Sequence, residues 1–170
     1  MTDSVRGTDD GSTDTAGLDR AIASIEEQEA RLVFTRFRND DAWALGSILV
    51  ELAIDRGLPV TIDITRGEQQ LFHAAMPGTA AHNDVWIRRK TSTVREFGVS
   101  SYLVGLRAAR GGHSFEEAPW IDPARLAGHG GAFPITVIDV GVVGTVTVSG
   151  LPQADDHALA IEGVEAFLAQ

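Results

Sequence analysis

GGAFPITVIDVGVVGTVTVSGLPQADDH, residues 130–157, decides the fold of this chain. Residues 133–139 and 142–149 alternate apolar side chains with small or hydroxyl ones, and Val140 and Gly141 lie between the two runs. That period of two, broken once, is the pattern of an antiparallel hairpin. Gly150 and Pro152 then end the sheet, and Pro152 suits a first helical turn because its missing amide hydrogen costs nothing there. Asp155 and Asp156 suit the positive end of a helix dipole, so a helix to about Leu168 is expected.

Residues 18–31 carry Leu18, Ile22 and Ile25 on one side and acids on the other, which predicts an amphipathic helix leading into a short strand over 32–37. Asn39 to Asp41 can cap a second helix that Gly57 stops. It is apolar nearly all round, with Trp43, Leu45, Ile48, Leu49, Leu52 and Ile54, so either a second layer or a partner subunit should cover it. Val60, Ile62 and Ile64 alternate with Thr61, Asp63 and Thr65, and Gly67 permits a tight turn into residues 70–76, a second hairpin. Residues 82–97 and 99–110, with a short turn after Asp122, supply a helical middle. This order predicts an α/β (α+β) fold: an antiparallel sheet with helices on both faces.

Length and composition bound the rest. A chain of 170 residues with 44% hydrophobic content supports one domain with a real core, here residues 17–170, and no stretch is long and apolar enough to cross a membrane. Residues 1–16 lack the apolar core of a signal peptide and are rich in Asp, Ser, Thr and Gly, so they are expected to form a disordered, solvated tail on a cytoplasmic protein. There is no cysteine, which excludes disulfides, thiolate metal sites and a cysteine nucleophile. The net charge of −10 argues against a nucleic-acid surface and against membrane contact.

On a helical wheel Lys90, the one lysine of the chain, falls in the apolar arc of Trp86, Ile87 and Val94, beside Asn83. A lysine in such an arc must pair with a carboxylate, snorkel out or lose its proton. It is read either as a structural ion pair, to Asp63 or Asp139, or as the binder of an anionic ligand. His157 lies at the centre of the arc of Ala160, Ile161, Val164, Phe167 and Leu168 and should face inward, as a core histidine or as a neutral imidazole able to ligate. His129 stands in GHGGAF, whose glycines let backbone approach a ligand or partner closely, while His73 reads as structural. Asp155 and Asp156 read as dipole and capping residues, and no metal site is expected from the DDH triplet. Ser149 with His157 makes no hydrolase, since the GxSxG elbow and an oriented third member are missing. No catalytic residue is assigned.

The glycine-bracketed strand ending in VSG, followed by a Gln/Asp-rich helix start, resembles the haem-degrading domain superfamily (HbpS/GlcG-like), in a branch without a settled activity. The resemblance extends through NDDAWALG (39–46), LPVTIDI (58–64), QLFHAAMPGTAAHNDVWIRRK (70–90) and SSY (100–102). It implies a profilin-like three-layer α/β/α fold with a central antiparallel sheet, and a homo-oligomer. It also implies a small-ligand-binding protein for haem or another tetrapyrrole, with Lys90 and Asn83 on the ligand-side helix and His129 or His157 toward the iron. A protein-interaction adaptor without catalytic activity is the alternative, and a weak haem-degrading enzyme the third reading.

Overall fold

The computed structural model describes residues 14–170. The expected tail at residues 1–13 therefore lies outside the described residues, but residues 14–16 do not belong to it. Helix α1 (Thr15–Arg31) begins there, and Asp14 Oδ1 accepts the Gly17 amide at 2.9 Å, satisfying one of the orphan donors of the first turn. The second helix, α2 (Asn39–Arg56), is closed at its start by Asp41, whose carboxylate accepts the Arg38 amide at 2.7 Å, and at its end by Gly57 at φ 62°. Between them the strand expected over 32–37 shrinks to one parallel bridge, Phe34 to Val137. Phe34 and Phe37 both turn into the core, edge to face at 5.5 Å, leaving too little extended chain for a ladder.

Strands β1 (Thr61–Arg66) and β2 (Gln69–Ala75) form the first hairpin, and β3 (Ala132–Val137) and β4 (Gly141–Ser149) the second. The two hairpins join through β1 and β4, so the antiparallel order is β2-β1-β4-β3. The turn of the second hairpin holds Asp139 at φ 60°, a left-handed conformation that a short polar side chain tolerates. Helices α3 (Ala81–Phe97), α4 (Ser101–Arg110) and α5 (Gln153–Leu168) complete the order, with a 3-10 turn at Phe115–Glu117 where the sequence predicts no element.

The period-two alternation separates two buried faces rather than an inside from an outside. Ile62, Ile64, Phe133, Ile135, Val146 and Val148 point to one side and pack with Leu45 and Leu49 of α2 and Leu159, Ala160 and Val164 of α5. The hydroxyl partners Thr61, Thr65, Thr145, Thr147 and Ser149 are equally buried on the other side, under α3. There they bond one another: Thr65 to Thr145 at 2.8 Å, and Thr91 of α3 to Thr147 at 2.9 Å. The result is a three-layer α/β/α fold around a central antiparallel sheet.

Two sequence expectations about packing are resolved. Among the described residues the outer face of α2 receives no second layer: Trp43 and Ile54 remain 65% and 64% exposed, because α5 covers only one flank. His157 does face inward, at 4% exposure, between Tyr102 and Phe133, with Nε2 donating to Gln28 Oε1 of α1 at 3.1 Å. Its Nδ1 is buried without a partner among the described residues. Burial pushes the imidazole down to about 4 from its usual 6.5. The folded protein thus binds fewer protons than the unfolded chain between those values, and stability falls as pH drops from about 6.5, the loss being complete below about 4. We expect His157 to account for about 3 kcal/mol of acid destabilisation. Urea unfolding of the parent and of His157→Gln at pH 7.5 and 4.5 measures it; an equal pH slope in the two proteins would exclude this role.

Candidate functional site

Helix α3 lies across the hydroxyl face of the sheet, and its first two turns meet the loop before β3 and the start of α5. Alanine at position 80 offers no cap, so Asn83 supplies one from inside the helix, its Oδ1 accepting the Ala80 amide at 2.9 Å. The Asn83 amide nitrogen donates to the Ser149 carbonyl at 3.1 Å, fastening the helix start to the end of β4. Two turns on, Lys90 points straight down. It is 2% exposed, and its Nζ donates to Val148 O at 2.7 Å, Gly130 O at 2.8 Å and Asp156 Oδ2 at 3.0 Å. An ammonium has three hydrogens, and all three are taken.

Asp156 completes the node. It is 3% exposed, and besides Lys90 it accepts the Leu151 amide on Oδ1 at 2.9 Å and the Gly150 amide on Oδ2 at 3.4 Å. Burial pushes the Lys90 ammonium below its usual range and the Asp156 carboxyl above its own, and each group opposes the other's shift by its charge. Three acceptors converging on one nitrogen, a carboxylate among them, are the surroundings of an ammonium. The sequence reading of Lys90 as a structural ion pair therefore acquires a different partner: Asp63 lies in the other flank of α3 and Asp139 in the hairpin turn. Asp156, expected as a dipole and capping residue from its place in the first turn of α5, instead reaches back past its own helix start to the 150–151 backbone and Lys90.

Above this node opens a cleft of about 280 Å³, lined by His82, Asn83, Trp86, Lys90, His129, Gln153 and backbone of the 149–151 corner. Three of the four residues singled out in the sequence, Asn83, Lys90 and His129, meet there. His157 does not: its ring points from the same turn of α5 toward α1 and α4 instead. His129 is held by Glu116, whose Oε1 accepts both the Gly128 amide at 2.8 Å and His129 Nδ1 at 3.1 Å. Burial acts to raise the Glu116 carboxyl, but the Gly128 amide and His129 outweigh it and leave the group below its usual range. The His129 ring stands edge-on to Trp86 with centroids 5.0 Å apart, and Arg89 covers the indole at 4.5 Å. Trp86 Nε1 donates to His82 Nε2 at 3.1 Å.

Glu116, His82 and Trp86 thus join the site without having been singled out for it. The spacing of His82 and Trp86, four apart on one helix face, was visible; Glu116 sits in a turn with no periodicity to mark it. Among the described residues no group of three or more His, Asp or Glu side chains is placed to hold a metal ion, and no helix is long and apolar enough to cross a membrane. The cleft offers one carboxylate-oriented imidazole, an aromatic wall and a rigid floor.

Residues 37–165 match the family described as haem degrading protein HbpS-like, and the chain belongs to that family. It is 58% identical over 156 residues to a UPF0303 protein of Streptomyces coelicolor, covering 92% of this chain and 99% of that one. Among solved structures it is similar to the Ybr137w protein, with a TM-score of 0.81, 31% identity, and coverage of 92% of this chain and 96% of the other. A PduOC:haem complex has the same fold at a TM-score of 0.64 and 17% identity, covering 76% of this chain and 94% of that one.

The node makes an energetic prediction. Removing one partner strands a buried charge, so Asp156→Ala should cost about 3–5 kcal/mol, whereas the double replacement Lys90→Met with Asp156→Leu should cost much less than the two single changes added together. Urea unfolding of the three variants checks this, and additive losses would show that the two groups do not act as a pair.

Proposed function

We propose that this member of the HbpS-like family is a small-ligand-binding protein whose ligand is haem or another tetrapyrrole, held at the cleft of His82, Trp86 and His129. The observation that carries the reading is the Glu116 to His129 pair. A carboxylate on Nδ1 fixes the tautomer and the orientation of the ring and leaves Nε2, which has no partner among the described residues, as the basic nitrogen. That is how protein histidines are prepared to ligate a metal. The family description and the haem held by PduOC, a neighbour in fold, point to the same class of ligand.

Haem, when bound, supplies the iron and an apolar ring; the chain's own residues orient, pack and exclude water. His129 would be the residue to hold the iron, and Trp86 would wall the ring. Lys90 and Asn83, whose polar atoms are engaged within the protein, hold the floor rather than a propionate. His157 stands behind that floor. A cleft of about 280 Å³ lies at the small end of the range for ligand sites, so part of a tetrapyrrole stays outside it.

Assembly into a homo-oligomer, with the adaptor role as the second reading, is favoured by one observation: Trp43 and Ile54 on the outer face of α2 remain largely exposed. Light scattering should give a mass above that of one chain, and Trp43→Lys should lower it.

Haem titration followed by its main absorbance band tests the principal reading. The parent should shift the band. His129→Ala should weaken affinity at least tenfold and change the band position, Glu116→Gln should weaken it less, and His157→Ala should leave it in place. A parent that leaves the haem spectrum unchanged, or a His129→Ala variant equal to the parent, removes the haem reading.

A further inference from the structure

Helix α3 has a second flank. Opposite the face that carries His82, Trp86 and Lys90, the residues Asp84, Ile87, Arg88, Thr91 and Arg95 line a cleft of about 530 Å³ whose other wall is the β1–β2 hairpin. Its floor is the hydroxyl face of the sheet, where Thr65 and Thr91 are tied to Thr145 and Thr147. Asp63 stands on that floor at 3% exposure. Its Oδ1 accepts Gln70 Nε2 at 2.5 Å and faces His73 Nδ1 at 3.1 Å, while Oδ2 has no donor among the described residues. That oxygen is reached from the cleft, so it is free to accept a donor from a ligand there.

The donor does not come from a metal site. His73 faces a carboxylate with each ring nitrogen, Asp63 on one and Asp84 on the other at 3.3 Å, so neither nitrogen is open to a cation. Arg88, one helical turn beyond Asp84, has no ion pair or hydrogen bond among the described residues although it lines the same cleft. Four residues of helix separate the acidic and the basic group by about 6 Å along the axis. Two carboxylates, Asp63 on the floor and Asp84 on the α3 wall, and an unpaired guanidinium at the rim one helical turn beyond Asp84 match a small molecule with an ammonium at one end and a carboxylate at the other.

From this we infer that the α3–hairpin cleft is a second binding site, for a free α-amino acid. The ammonium bonds Asp63 Oδ2 with Asp84 alongside, the carboxylate takes the Arg88 guanidinium, and Ile87 borders the side chain. The site is separate from the His129 cleft and does not depend on what binds there.

Isothermal titration with L-leucine, L-glutamine and L-arginine tests it, with N-acetyl-L-leucine and putrescine as probes that each lack one of the two charges. At least one free amino acid should bind, Asp63→Asn should weaken it at least tenfold, and Arg88→Met should weaken it while leaving the fold intact, since Arg88 is exposed. N-acetyl-L-leucine should not bind. The inference is overturned if none of the three amino acids binds, if N-acetyl-L-leucine binds as well as L-leucine, or if Arg88→Met has no effect. Putrescine binding more tightly than every amino acid would also overturn it, in favour of a site for amines alone. Should Asp63→Asn fail to fold, Arg88→Met and the two control probes still decide. Haem titration of the Arg88→Met variant, expected to match the parent, separates this site from the first.

Discussion

One nitrogen atom holds one side of this molecule together. Lys90 Nζ binds a carbonyl on the loop before β3, a carbonyl near the end of β4 and a carboxylate on α5, so four segments distant in sequence meet at one point. The surrounding backbone is built to that contact. A Cβ on Gly131 would lie 2.5 Å from Nζ, and the residue sits at φ 128°, where only glycine is at ease. Burying a charge is expensive, and the bonds that offset the cost set the relative position of α3, the GHGG loop and the start of α5.

That placement is what creates a cleft. With α3 pinned at Lys90, His82 and Trp86 stand over the loop that carries His129, and Glu116 reaches the same loop from the 3-10 turn. Asn83 repeats the arrangement at the helix start, capping its own helix and gripping the last residue of β4. The polar groups nearest the floor, on Lys90 and Asn83, are satisfied by protein.

The sheet makes both flanks of α3 useful. Because one face of the alternation is aliphatic and closed by α2 and α5, the core needs nothing from α3. The hydroxyl face can therefore carry polar groups such as Asp63 at the price of mutual hydrogen bonds among threonines, and α3 lies on it as a ridge between two clefts. A fully aliphatic second face would have excluded both.

The two hairpins, the helices and their order were legible in the sequence, the short strand over 32–37 excepted. Period-two runs at 61–65 and 142–149, the glycines at 57 and 67 and the amphipathic arcs of the helices are local properties, and local geometry reads them directly. It also marked Lys90 and His157 as inward-facing, since a helical wheel needs only one helix. Where those side chains ended was decided by tertiary structure. Asp156 was legible only as a capping residue, because its partner is 66 residues away across the sheet. The two histidines were separated for the same reason: burial against Gln28 places His157 in the core, one of its two readings, while Glu116 and Trp86, from segments with no shared periodicity, orient His129. A linear pattern records which way a residue faces along its own element; it holds no record of what the other elements bring to meet it.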